Sequence, residues 1–117
     1  MNNETMANLL IVDDNGFRRV QTEVAAAARG HKTYSAGTTA EAEKLISIYV
    51  PDAVLAPDGL AKEVLAWMDR VDNSNLTKVI MVTPGELAAK NGRVIARSKD
   101  MRPVSMLEAA EAALSST

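Results

Sequence analysis

The chain has no cysteine, which rules out disulfides and thiolate metal ligands. Aromatics are nearly absent, with one Trp, two Tyr and one Phe, too few for the stacking platforms on which single-stranded nucleic acids are held. The single histidine, His31, has no neighbour at metal-ligand or triad spacing. Charge of either sign is hardly in excess: the net is -2 and the pI about 5.4, so neither nucleic acid nor a membrane surface is an expected partner. No apolar run approaches the ~18 residues that a membrane span requires. The stretch from Met1 to Asn8 is polar and carries Glu4, unlike a signal peptide. A cytosolic location is expected.

What is present is a globular balance, with 47% apolar and 24% charged residues over 117 positions. That length suits one core and not two. A single domain over residues 1–117 is expected, with 1–7 flexible.

Leu9–Val12 is a short apolar run ending at Asp13 and Asp14, which reads as a strand buried on both faces. Asn15-Gly16 makes a turn. Phe17, Val20, Val24, Ala27 and Ala28 then fall at helical spacing, and Gly30 closes that helix. His31–Ala36 fits a second strand. Thr38 with Glu41 three residues on forms a capping-box signature for a helix to about Tyr49. Pro51-Asp52 turns into a third strand, Ala53–Ala56. After Pro57-Asp58-Gly59, the residues Leu60, Val64, Leu65, Met68 and Val71 mark one helical face. Asp72–Asn75 reads as a loop, Val79–Thr83 and Val94–Ala96 as strands, and Val104–Leu114 as a last helix with Leu107, Ala110 and Leu114 inward. Strands apolar throughout and alternating with helices predict a parallel sheet covered on both sides. Such sheets bind ligands at the carboxyl ends of their strands, where this chain sets Asp13, Asp14, Pro57, Asp58, Thr83 and Arg97–Lys99.

These residues resemble, in order, the landmarks of response-regulator receiver domains of bacterial two-component signalling. Leu9-Leu10-Ile11-Val12-Asp13-Asp14 resembles their opening strand and acid pair. Gly30-His31 through Ala36 with Glu41-Ala42 resembles the second strand and helix, and Pro51-Asp52-Ala53-Val54-Leu55 the approach to the phosphorylation site. Val79–Thr83 resembles the fourth strand with its terminal hydroxyl, and Lys99 with Pro103 the fifth-strand lysine and the start of the last helix. The resemblance implies a flavodoxin-like fold of five parallel strands in the order 2-1-3-4-5. It also implies roles: Asp13 and Asp14 for Mg²⁺, Thr83 and Lys99 for a phosphoryl group.

The acceptor departs from the family. Counting from Pro51-Asp52, its slot falls on Pro57, which has no nucleophile. Aligning on Asp58-Gly59-Leu60 instead makes the loop too short. The segment from Thr83 to Lys99 is also shorter than the family's, leaving a fourth helix of Glu86–Lys90 at most. Ala96 stands where the family keeps an aromatic, and Asp100 where it usually has proline.

Electrostatics bears on the metal. Two carboxylates about 5 Å apart repel by roughly 3 kcal/mol at an effective dielectric near 20. With the third acid missing there is less charge to neutralise, so Mg²⁺ is expected to bind weakly or not at all. Otherwise Asp13 and Asp14 are an inherited turn, with Lys99 as an ion-pair partner. Asp58 is either a displaced acceptor or an N-cap of the third helix. Thr83 is either a phosphate ligand or a cap of the turn at Pro84-Gly85. Arg93, Arg97 and Arg102 are either a solvated face, a docking patch for an acidic partner, or a site for an anion such as a cyclic dinucleotide. Trp67, Met101 and Met106 read as packing residues. The expected function is phosphorylation-independent signalling by protein contact, with no enzymatic activity and no cofactor. The contact is expected on the remodelled face around the fifth strand. Its partner would be a histidine kinase, an output domain, another regulator or a second copy.

Overall fold

The computed structural model describes residues 6–71, 73–88 and 92–116. Strands β1 (Asn8–Val12), β2 (Lys32–Ala36), β3 (Ala53–Leu55), β4 (Ile80–Thr83) and β5 (Ile95–Arg97) form one sheet in the order β2-β1-β3-β4-β5. Every pairing is parallel. Helices α1 (Gly16–Ala28), α2 (Thr39–Tyr49), α3 (Asp58–Arg70) and α4 (Pro103–Ser115) connect or follow the strands. This is the expected flavodoxin-like architecture. A 3₁₀ turn at Ser74–Lys78 leads into β4, overlapping the expected loop, of which Asp72 lies outside the described residues.

The two-residue period of the strands divides the core into two layers. Leu10, Val12, Val54 and Met81 face α2 and α3, where Ile46, Val64 and Met68 cover them. Leu9, Ile11, Leu55, Ile80 and Val82 face α1 and α4, against Ala26, Met106, Leu107 and Ala110. Coverage on both sides explains why β1 and β4 have no polar alternation. Trp67 is half-buried against the first layer, and Met101 against the second.

The helix starts follow local chemistry. Asn15 caps α1 by accepting the Arg18 N–H at 3.0 Å. Thr38 accepts the Glu41 N–H at 3.2 Å, while Glu41 reaches back to the Gly37 N–H at 2.9 Å. Gly30 takes φ +89° just past α1, as glycine does there. Val50, by contrast, ends α2 at φ 44°, a left-handed conformation that strains a β-branched residue.

The apolar side of α1, which its spacing marked as one helical face, does not face the core. Its buried residues are Thr22 and Ala26, whereas Phe17, Val20 and Val24 are exposed. The rotation is set by Arg18 and Arg19, both of which reach back to Asp13, and the buried Thr22 hydroxyl is satisfied by the Arg18 carbonyl at 2.9 Å. Glu86–Ala88 carry no helix, within the expectation of a fourth helix of Glu86–Lys90 at most; residues 89 and 90 lie outside the described residues. One expectation is corrected: Ala7, placed in a flexible terminus, is buried and donates its N–H to His31 Nδ1 at 3.2 Å. Of that terminus, residues 1–5 lie outside the described residues.

Candidate functional site

Because the strands are parallel, their carboxyl ends lie along one edge, and the residues singled out by the sequence meet there. Asp13 follows β1 and is buried. Both of its carboxylate oxygens are occupied. The Asn15 N–H and Arg18 Nη2 donate to Oδ1 at 2.9 and 2.8 Å, and Arg18 Nε donates to Oδ2 at 2.6 Å. This is the bidentate fork that guanidinium forms with carboxylate. Arg19 Nη1 adds a bond to the Asp13 carbonyl at 2.7 Å. The Asp13 carboxylate raises the pKa of Arg18, first through this hydrogen bond and then through charge. Asp14 is exposed.

Lys99 is therefore not the partner of the acid pair. It is exposed and makes no ion pair among the described residues, because Arg18, five residues from Asp13 on the helix that follows, reaches the carboxylate first. Arg18 is the residue that sequence reading missed. Its signal was local: an acid, a cap at Asn15, and an arginine in the first turn of the next helix.

Pro57 stands at the tip beyond β3 and occupies the N-cap position of α3, with extended backbone and no side-chain cap bond. The N-cap expected at Asp58 is thus displaced by one residue, and Asp58 is the first helical residue. Its carboxylate instead crosses to β4. The buried Thr83 hydroxyl donates to Asp58 Oδ1 at 3.0 Å, so the expected capping of the following turn by Thr83 is also corrected. Beneath the carboxylate lies Gly85. A Cβ there would stand 2.3–2.4 Å from the Asp58 carboxylate atoms, so the close approach requires glycine.

The three arginines do not form a patch. Arg93 is buried: its Nη1 donates to the carbonyls of Leu76 and Val79 and its Nη2 faces Asp69 at 3.4 Å, tying the 3₁₀ turn to α3. Its Nε has no partner among the described residues. Arg97 is exposed and donates to the Pro84 carbonyl and to Glu86, each at 3.0 Å. Arg102 pairs with Asp100 at 2.8 Å, and this contact holds the Asp100 carboxyl well below the usual range. The reading that joined Arg93 to Arg97 and Arg102 in one anion site is corrected for Arg93 on this ground. A buried, locally bonded guanidinium cannot reach a solvent-borne ligand.

Among the described residues no group of three or more His, Cys, Asp or Glu comes together as a metal site. Ala96 is half-buried against the α1/α4 layer. No helix among the described residues is long and apolar enough to cross a membrane.

No family model and no curated protein matches the sequence. Solved structures do share its fold. The N-terminal domain of a response regulator receiver protein from Methanoculleus marisnigri JR1 is 22% identical over 72% of each chain, with a TM-score of 0.58. A response regulator receiver domain protein from Clostridium thermocellum is 16% identical over 95% of this chain and 96% of its own, at 0.65. The chemotaxis response regulator CheY4 of Vibrio cholerae is 19% identical over 89% and 95%, also at 0.65. At such identities the likeness speaks of architecture, and this chain has the fold of a response-regulator receiver domain.

Proposed function

We propose that the chain is a receiver-type signalling domain that works by protein contact, without phosphoryl transfer and without a required Mg²⁺. The observation that carries this reading is the state of Asp13. A receiver's acid pair must be free to take a divalent cation, and here an internal guanidinium already neutralises the buried member with good geometry. A cation could enter only by displacing the Arg18 guanidinium from this carboxylate, a competition that a free acid pair does not impose. The tip of β3 agrees, since Pro57 offers no oxygen nucleophile. The partner on this reading is another signalling protein: a histidine kinase, an output domain or a further regulator. The face around β5 is the surface for it, where the exposed Arg97 donates to the Pro84 carbonyl and to Glu86.

One observation favours a second reading. Asp58 places a carboxylate within hydrogen-bond distance of the Thr83 hydroxyl, as a displaced phosphoacceptor would. The two are separated by treating the protein with acetyl phosphate and Mg²⁺ and weighing it intact. No phosphoryl adduct is expected. An adduct lost in Asp58→Asn would reject the contact-only reading in favour of Asp58 as acceptor.

A further inference from the structure

Helix α1 carries its apolar stripe on the solvent side. Phe17, Val20, Val24 and Ala27 recur at i, i+3, i+7 and i+10, the spacing of a helix that packs along another helix. Yet Phe17, Val20 and Val24 are 76%, 52% and 63% exposed. Beside them Val104 of α4 is 53% exposed. Between the two helices runs an open groove of about 740 Å³, lined by Val20, Val24, Ala25, Ala28, Pro103 and Val104. A contiguous apolar face of this kind marks an interaction surface.

We infer that this face binds the same face of a second copy of the chain, in a two-fold pair with the two α1 helices antiparallel. The stripe is symmetric about Thr22. A two-fold axis there sets Val20 against Val24 of the other copy and Phe17 against Ala27, like against like at the centre and large against small at the ends. A self-complementary surface is what a two-fold interface demands. The charges along the groove agree. Lys99 lies ahead of the first turn of α4 and Glu108 in its second, and both line the groove; Lys99 makes no hydrogen bond or ion pair among the described residues, and Glu108 makes none beyond a longer-range attraction to Arg29. Reversing one copy on the other brings each Lys99 toward the partner copy's Glu108, with Val104 near the axis between them. Pairing of opposite charges across the contact then fixes the antiparallel register.

This interface concerns self-association, and it stands or falls separately from the signalling reading above. Sedimentation equilibrium on the full chain, from about 1 µM to about 1 mM, is expected to show a monomer–dimer equilibrium. Val24→Glu changes an exposed side chain, so the fold should persist by circular dichroism while dimerisation weakens about tenfold or more. Lys99→Glu should weaken it by less, and adding Glu108→Lys should restore it, because the swapped charges attract again. A chain that stays monomeric at about 1 mM leaves the face to a different protein and overturns the inference. So does a dimer indifferent to Val24→Glu, or one that the charge swap does not rescue.

Discussion

The Asp58 carboxylate lies over Gly85 with no room for a methyl group, and it takes the hydrogen bond of a buried hydroxyl. Gly85→Ala should therefore act through Asp58 and not through the backbone, since the atoms in the way are the end of a side chain. Evicting the carboxylate leaves the Thr83 hydroxyl buried without its acceptor, a loss of about 1–3 kcal/mol. Urea unfolding should show that loss in the native sequence and almost none of it when Asp58→Ala is already present, since the obstacle has gone. Equal cost in both backgrounds would mean that Gly85 serves the backbone. At this scale Asp13, Pro57, Asp58 and Thr83 could be placed at the strand ends from their order in the chain. Which of them touch could not. Asp58 and Thr83 are joined across two adjacent strand ends, and no sequence spacing encodes that approach.

Between elements, the contact with a measurable pH signature joins α4 to the other end of the sheet. Glu111 receives Arg29, from just past α1, and the ring of the buried His31, from just ahead of β2; the His31 contact is 2.8 Å. The Arg29 hydrogen bond first, and His31 after it, bring the Glu111 pKa down from 4.5 to about 2. A carboxyl with a folded pKa below its unfolded one stabilises the fold above the unfolded value, and that contribution fades as pH falls toward the folded value. The protein should thus lose stability between about pH 5 and pH 2. Glu111→Gln should flatten that part of the stability–pH curve and cost about 1 kcal/mol at neutral pH, solvent screening keeping the figure small. Identical slopes for the two proteins in denaturant titrations across that range would contradict the assignment. His31 looked solitary in the sequence because its partner is on the last helix. Helix α1 shows a second limit of pattern reading. Its apolar spacing identified a helix correctly, but an amphipathic stripe does not say whether it meets the protein's own core or another surface. The tether of Arg18 and Arg19 to Asp13 turned it outward.

For the molecule as a whole, the two apolar layers share every central strand, so neither can melt while the other stays folded. Leu55 supports the α1/α4 layer and Val54, its neighbour, the α2/α3 layer. Leu55→Ala should cost about 2–5 kcal/mol and Val54→Ala somewhat less, and each should lower a single thermal transition on which near- and far-ultraviolet circular dichroism coincide. Two separated transitions in either variant would show that the layers fold independently. The order of elements, the parallel sheet and the identity of its central core were determined by the sequence itself. Those features rest on local propensity and on apolar runs that only a doubly covered strand can carry. The tertiary structure decided the pairing of Asp13 with Arg18, the crossing of Asp58 to Thr83, the burial of Arg93 and the outward face of α1. Each depends on how charged side chains compete for partners once distant elements are packed together, and that competition leaves no period in the chain.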